Sequence, residues 1–194
     1  MHKDSWKNSK FLNESVIELP QVQFDPEDFL GFIDQYEFQN YTNVYGKSTP
    51  QHTCDDERFQ EDPLIQYYLD VFKDFDIRQS VPESTLTNYP EKTRLTGWLV
   101  KCDTRGSDLH MHRDANRPTG IIFPLTFPQS VNLHESKKSG ISYVHEYKPV
   151  ITILNTGGQW HSVSKSPNIR YQVQFDCYNS WEEIRQLVNT LNKV

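Results

Sequence analysis

The sequence predicts a mainly β domain, a sandwich or barrel of short strands supported by helices. The first half of the chain carries helix start signals and apolar stripes at helical spacing. From Leu95 onward apolar and polar residues alternate with a period of two, which is typical of strands with one buried face. We therefore expect a single domain over 1–194, with mostly helical support in 1–93, a β core in 94–178 and a C-terminal helix in 179–194.

Two helices are predicted in the first half of the chain. Asp25, Pro26 and the acids that follow form a helix start, because they combine an N-cap, a first-turn proline and negative charge at the positive end of the helix. Asp62 and Pro63 repeat this signal. The apolar residues that follow at helical spacing are Phe29, Phe32, Ile33 and Tyr36 in the first helix, and Leu64, Tyr68, Val71, Phe72 and Phe75 in the second. The polar, turn-rich stretch 39–61 predicts a long surface loop between them.

The β core is predicted from short apolar runs that turn residues separate. These runs span 121–127, 141–147, 150–154 and 169–175. The turn Asn155–Gly158 ends the third run. A final helix follows, because Ser180 and Glu183 have the spacing of a capping box. The apolar face of this helix consists of Trp181, Ile184, Val188 and Leu191.

The composition argues against several classes of function and location. The 194 residues carry a net charge of −6, which disfavours a surface that coats nucleic acid or an anionic membrane. Residues 1–8 lack the apolar core of a signal sequence, and no stretch is long and apolar enough to span a membrane. The three cysteines are widely spaced and form no Cys-x-x-Cys pair. We therefore expect a reducing, cytoplasmic location without a disulfide framework or a thiolate zinc site.

One segment, 106–114, carries the residue types that bind metals. His112 and Asp114 lie two positions apart, so on a strand both side chains point to the same side, with Cα atoms roughly 7 Å apart. His161, after the glycine turn, is the candidate for a third ligand from a distant strand. Two histidines and one carboxylate form a facial triad that leaves positions open for substrate and O₂. A His-x-Asp pair alone arises often by chance, so this interpretation depends on the other residues.

Arg170 supplies that further evidence. It lies nine residues after His161, on the polar face of an alternating strand whose apolar face should pack outward against the helices. An arginine that points into a barrel is unfavourable unless it meets an anion. Its planar guanidinium can bind a carboxylate through two parallel hydrogen bonds. We therefore expect Arg170 to meet an anion inside the barrel, and a carboxylate is well suited to it.

This order of residues resembles that of the 2-oxoglutarate/Fe(II) oxygenase superfamily, and the match covers roughly residues 95–178. The resemblance implies a double-stranded β-helix, which is a jelly-roll or cupin-like barrel with helical support. It also implies that His112, Asp114 and His161 bind Fe(II) and act in catalysis. The aspartate leaves no free site for a halide, so hydroxylation is favoured over halogenation.

The same resemblance implies a cosubstrate site. Arg170 would bind the distal carboxylate of 2-oxoglutarate. Gln172 stands where the family often has Ser or Thr, and it is a candidate for a second hydrogen bond to that carboxylate. Arg117 is a further candidate contact of cosubstrate or substrate. The implied reaction uses O₂, releases succinate and CO₂, and hydroxylates a C–H bond of a small molecule or a protein side chain.

Two other interpretations use the same architecture. A metal-binding cupin would use His110, His112 and His161 without 2-oxoglutarate, although it would have no need for Arg170. A non-catalytic barrel would have kept the shape in order to bind a partner. For the oxygenase, the segments 39–61, 81–92 and 130–139 are the expected lids, because such enzymes usually vary there. The acidic balance argues against nucleic acid as the substrate.

Overall fold

The computed structural model describes residues 14–42, 48–54, 56–78, 97–114 and 117–191. Within these residues the chain forms eleven strands and four helices. In chain order they are β1 Val16–Leu19, α1 Glu27–Gln35, β2 Gln39–Thr42, β3 Ser48–Cys54, α2 Glu57–Gln60, α3 Pro63–Val71, β4 Gly97–Cys102, β5 Leu109–His112, β6 Thr119–Pro124, β7 Ser130–His134, β8 Tyr143–Glu146, β9 Ile151–Leu154, β10 Trp160–Val163, β11 Arg170–Cys177 and α4 Trp181–Leu191. The predicted mainly β class with supporting helices is confirmed.

The strands form two antiparallel sheets. The larger sheet has seven strands in the order β1-β9-β6-β11-β4-β3-β2, and the smaller has four in the order β5-β10-β7-β8. Strand β11 lies at the centre of the larger sheet, where it pairs with β4 on one side and β6 on the other. Closing a core between two layers in this way buries one face of each sheet.

The main hydrophobic core lies between the helices and one face of the seven-stranded sheet. Its centre is aromatic: the Phe123 ring lies 4.9 Å from both the Tyr68 ring and the Phe175 ring, measured between centroids. Each fully buried side chain of this kind contributes roughly 1.5–3 kcal/mol. Other members of the core are Phe29, Phe32, Ile65, Leu69, Phe72, Leu99, Ile121, Val173, Ile184 and Val188. The apolar residues of β11 therefore pack against the helices, as predicted, and its alternate residues point to the interior.

Gly97 shows how tightly two neighbouring strands of the larger sheet pack, because it lies directly opposite Phe175 in the pairing of β4 with β11. A Cβ atom at this position would lie 2.5 Å from Cε1 of Phe175, a separation that real Cβ atoms do not adopt. The backbone N–H of Gly97 donates to the side chain of Gln60, which anchors α2 to the start of β4. A residue without a side chain is therefore required at this position, where the Phe175 ring of β11 packs against β4.

The predicted helix signals act as expected at two of the three starts. At α3 the Asp62 carboxylate accepts a hydrogen bond from the backbone N–H of Leu64 at 2.8 Å. At α4 the capping box is formed, with the backbone N–H of Ser180 donating to Glu183 at 2.7 Å. At α1, however, Pro26 occupies the N-cap position and the helix has no side-chain cap. Asp25 instead accepts a hydrogen bond from the backbone N–H of Glu27.

The predicted surface loop 39–61 and the expected lid 130–139 were wrong. The stretch 39–61 contains β2, β3 and α2, and β3 pairs with β4 to extend the large sheet. The residues before 94 therefore supply strands as well as helical support. Main-chain hydrogen bonds hold these strands at the sheet edge, so they need little apolar patterning. The expected lid 130–139 begins with a buried strand, β7, inside the smaller sheet. The third expected lid, 81–92, lies outside the described residues.

The described cysteines and helices bear on two further expectations. Cys54, Cys102 and Cys177 are all buried, and none of them forms a disulfide with another described residue. Among the described residues, no helix has the length and apolar character needed to cross a membrane.

Candidate metal centre

The three predicted ligands lie together at one end of the barrel interior. His112 on β5 and His161 on β10 are direct cross-strand partners in the smaller sheet, and their ring centroids are 4.3 Å apart. Asp114 follows β5, and its backbone N–H donates to the carbonyl of Thr156 at 3.0 Å. One ligand atom from each of the three side chains falls within 4.8 Å of the others. The chain thus brings together residues that are up to 49 positions apart in sequence.

Backbone carbonyls fix the orientation of both imidazoles. Nδ1 of His112 lies 2.7 Å from the carbonyl oxygen of His110, and Nδ1 of His161 lies 3.0 Å from that of Gln159. A carbonyl oxygen can only accept, so each Nδ1 carries the hydrogen and each Nε2 presents its lone pair. This is the arrangement by which proteins commonly orient histidine ligands.

The geometry of the cluster suits a small cation. Nε2 of His112 lies 3.6 Å from Oδ1 of Asp114. Two ligand atoms at right angles around an ion, each about 2.1 Å from it, would lie roughly 3 Å apart, so this pair would have to approach by about half an ångström. The side chain of His112 is 37% exposed and that of Asp114 is 13% exposed. Solvent therefore reaches the cluster from the side of His112.

A buried network of charges continues from Asp114 into the large sheet. Nε of Arg117 donates to Oδ2 of Asp114 at 2.7 Å, and Nη1 of Arg117 donates to Oδ1 of Asp176 on β11. The side-chain amide of Gln174 donates to the same Asp176 oxygen at 3.1 Å. Arg117 thus links the predicted metal ligand to the central strand of the larger sheet.

These surroundings shift the ionisation of the cluster. Burial opposes the ionisation of Asp114, but Arg117 and the two histidines outweigh this effect and lower its pKa to about 2. Burial lowers the pKa of His161 to about 4, although Asp114 acts in the opposite direction. Burial also raises the pKa of Asp176, against the effect of Arg117. Near neutral pH, Asp114 is therefore an anion and His161 is neutral, which are the protonation states that bind metals.

Arg170 lies in the same cavity. It is buried, and its Nη1 donates to the carbonyl of Ser130 at 2.6 Å, while its Nε is buried without a hydrogen-bond partner. No ion pair of Arg170 is present among the residues that the structure describes. Other residues that line the cavity are Gln51, Val100, Cys102, Leu109, His112, Arg117, Ile122, Val131, Tyr147, Leu154, Thr156, His161, Val163, Gln172 and Gln174.

Two residues around this cavity were not predicted from the sequence. Asp176 could have been found, because it continues the inward-facing series of Arg170 and an acid inside a barrel needs a cation. Tyr147 could have been found from its place in an alternating run. Burial raises the pKa of Tyr147 to about 12, so its hydroxyl stays protonated and can donate a hydrogen bond.

His110 does not join the cluster. Its side chain is exposed, and only its carbonyl takes part, as the acceptor for His112. In the described part of the chain, the potential metal-binding group consists of His112, Asp114 and His161. The ligand set of the cupin interpretation is therefore not assembled, whereas the His-Asp-His set is.

Comparison with known proteins identifies the fold. No protein-family model matches the chain, and no curated protein matches it significantly. One similar solved structure is a prolyl hydroxylase from Trichoplax adhaerens in complex with a hypoxia inducible factor oxygen degradation domain peptide fragment. The alignment has a TM-score of 0.52 and 13% sequence identity, and it covers 83% of this chain and 78% of that chain. A Pseudomonas putida prolyl-4-hydroxylase aligns with a TM-score of 0.52 and 10% identity over 85% and 93%, respectively. These likenesses confirm the predicted double-stranded β-helix.

Proposed function

We propose that the chain is an Fe(II)- and 2-oxoglutarate-dependent dioxygenase that hydroxylates a C–H bond of a small molecule or a protein side chain. One observation carries the proposal: the His112–Asp114–His161 cluster opens into a cavity that also contains a buried arginine with no anionic partner among the described residues. The resemblance in residue order and the fold shared with the prolyl hydroxylases support the same assignment.

The residues present fit both groups. Two Nε2 lone pairs and one carboxylate oxygen form the two-histidine, one-carboxylate set that non-haem Fe(II) oxygenases use. The unpartnered Nε of Arg170 calls for an acceptor, and a carboxylate of 2-oxoglutarate would supply it. When bound together with O₂, iron and 2-oxoglutarate supply oxidative decarboxylation, with release of succinate and CO₂, and insertion of oxygen into the substrate.

The chain's own residues would bind and orient the cosubstrate. Arg170 would bind its distal carboxylate, and Tyr147, whose hydroxyl stays protonated, would donate a second hydrogen bond. Gln172 also lines the cavity, and its amide already donates to Gln174 at 3.4 Å, which is a weak bond that it could exchange. With a dianionic cosubstrate, the charges of Fe(II), Asp114 and Arg170 cancel, as a closed cavity of low dielectric requires.

The proposal is tested by forming the complex without oxygen. Fe(II) and 2-oxoglutarate are added to metal-free protein, and the visible metal-to-ligand charge-transfer band is recorded for the wild type, Asp114→Ala and the control Asp74→Ala, which removes an exposed acid. We expect the band in the wild type and in the control, and its loss in Asp114→Ala. If the wild type binds metal but shows no band, the proposed role of 2-oxoglutarate as cosubstrate is refuted. No metal binding would leave the non-catalytic barrel as the explanation.

A second assay, run with O₂ present, tests the substrate class. Turnover in the presence of peptides or small molecules is measured as succinate released per added compound, and the oxidised product is identified by a mass increase of one oxygen atom. The peptide bound to the Trichoplax adhaerens structure makes peptides the first class to test. We also propose a cytoplasmic location, because three widely spaced cysteines without a Cys-x-x-Cys pair suit a reducing compartment.

A further inference from the structure

Arg117 lies between two buried carboxylates, of which only one belongs to the metal cluster. Its Nε donates to Oδ2 of Asp114 at 2.7 Å, and its Nη1 donates to Asp176. The side chains of Arg117, Asp114 and Asp176 are 14%, 13% and 4% exposed. Gln174 donates to the same oxygen of Asp176 that Arg117 binds, so Asp176 is itself held in place from its own strand.

This arrangement leaves the two oxygens of Asp114 in different states. Oδ2 is occupied by the guanidinium, whereas Oδ1 is the oxygen that lies 3.6 Å from Nε2 of His112. We infer that Arg117 is a positioning residue that orients Asp114 to offer a single oxygen to the metal, and that Asp176 holds Arg117 in that pose. The inference rests on the proposed metal-binding function and goes beyond it, because it assigns roles to two residues outside the ligand set.

The alternative is that Arg117 contacts the cosubstrate, as the sequence suggested. Arg117 already has two of its nitrogens committed to two carboxylates. Arg170, in the same cavity, has no carboxylate partner among the described residues and keeps a buried N–H unpaired. An incoming anion therefore meets an available guanidinium at Arg170 and an occupied one at Arg117.

Stability alone does not explain the network. A buried Arg–carboxylate triad is often no more stable than apolar side chains of similar volume, because desolvation offsets the attraction between the charges. Two acids and one arginine also leave one net negative charge, which favours a cation beside Asp114. Groups that hydrogen-bond to metal ligands in this way typically change metal affinity by 10- to 100-fold.

The experiment measures metal and cosubstrate affinities separately. Co(II) is the probe, because its absorption spectrum reports the coordination of the carboxylate. Its affinity is measured without 2-oxoglutarate for the wild type, Arg117→Gln, Arg117→Lys and Asp176→Asn. The affinity for 2-oxoglutarate is then measured at saturating Co(II). Arg58→Gln is the matched control, since it breaks an exposed ion pair with Asp56 far from the cluster in sequence.

We expect Arg117→Gln to bind Co(II) about 10- to 100-fold more weakly, with an altered spectrum, and to bind 2-oxoglutarate within about threefold of the wild type once loaded. Arg117→Lys and Asp176→Asn should bind Co(II) with affinities between those of the wild type and Arg117→Gln, because each variant keeps part of the contact between residue 117 and the two carboxylates. The control should match the wild type. Unchanged Co(II) affinity, or a loss confined to 2-oxoglutarate, would overturn the inference.

Two further outcomes are distinguishable from these. If Arg117→Gln does not fold, Arg117→Lys and Asp176→Asn decide the matter, and wild-type Co(II) affinity in both overturns the inference. If the wild type itself binds no Co(II), the proposed function fails and the inference fails with it. Wild-type metal binding that all three variants retain overturns the inference and leaves the proposed function intact.

Discussion

Arg170→Met should separate the contribution of this residue to ligand binding from its contribution to stability. Arg170 is only 6% exposed, with one hydrogen bond to the Ser130 carbonyl and a buried Nε that has no partner among the described residues. The folded chain therefore carries a buried charge that no described acid balances. Methionine has a similar length, no charge and no unsatisfied donor, so it fits the site without that penalty.

Arg170→Met should raise the free energy of unfolding and lower the affinity for 2-oxoglutarate. The unpaired N–H of Arg170 lowers the stability of the folded protein by about 1–3 kcal/mol, and its buried charge lowers it further. The hydrogen bond to Ser130 raises that stability by about 1.5–3 kcal/mol. We expect Arg170→Met to raise the free energy of unfolding of the ligand-free protein by about 1–3 kcal/mol, which is roughly 2–12 °C in Tm for a chain of this size. Removing one partner of a buried charge pair costs about 2–5 kcal/mol, so 2-oxoglutarate should bind about 30-fold to several thousand-fold more weakly.

The assay is thermal unfolding with and without 2-oxoglutarate at saturating Co(II), together with calorimetric titration. Arg170→Lys is the matched variant, because it keeps the charge and loses the planar two-donor geometry. It should bind 2-oxoglutarate with intermediate affinity and gain no stability. If Arg170→Met lowers the Tm of the ligand-free protein and leaves 2-oxoglutarate affinity unchanged, Arg170 is a structural residue and the proposed cosubstrate site is wrong.

Two more predictions concern packing and pH. Gly97→Ala should lower the free energy of unfolding by about 1–3 kcal/mol in a denaturant titration, because the new Cβ would overlap Phe175. The control Gly106→Ala has open space around it and should leave the free energy of unfolding nearly unchanged. Burial lowers the pKa of His145, so the unfolded chain binds a proton that the folded chain excludes, and stability should fall as pH drops below about 6.5. When the pH is lowered from 7.5 to 5.5, the Tm of His145→Phe should fall less than the Tm of the wild type. An equal fall in both proteins would contradict this reasoning.

Strand β11 shows what the sequence could predict. Its alternation placed Val173 and Phe175 on the helix-facing side and Arg170 on the interior side, and the structure agrees. Such a strand is predictable because one face is apolar and a shift of one residue would exchange the two faces. The same periodicity explains why an arginine on the interior face is informative at the level of sequence alone.

Strand β7 shows why other elements could not be predicted. Asn132 and His134 are polar and resemble loop residues, yet both are buried. Their side chains hydrogen-bond to Ser162 and Ser164 on and beyond the neighbouring strand β10. Burial is tolerated because the polar groups are satisfied, and those partners are about 30 residues away in sequence. The composition of a short sequence segment does not reveal hydrogen-bond partners that lie about 30 residues away.

The charge network around Asp114 was predicted only in part. The sequence identified Arg117 as a candidate site residue, but its two acidic partners could not be assigned. Asp176 is 59 residues further along the chain. Only the register of β11 against β6 brings these residues into the same region of the large sheet. Interactions of this kind depend on tertiary contacts that short motifs do not encode.

The placement of the ligands on different layers has a mechanical consequence. His112 and His161 belong to the four-stranded sheet, whereas Asp114 is bonded to Thr156 and, through a bridging arginine, to Asp176 of the seven-stranded sheet. An ion shared by the three would cross-link the two layers, much as an inter-sheet disulfide does. Separation of the layers and release of the ion would then be a single event. Amide hydrogen exchange in both sheets should therefore slow together as the ion concentration rises.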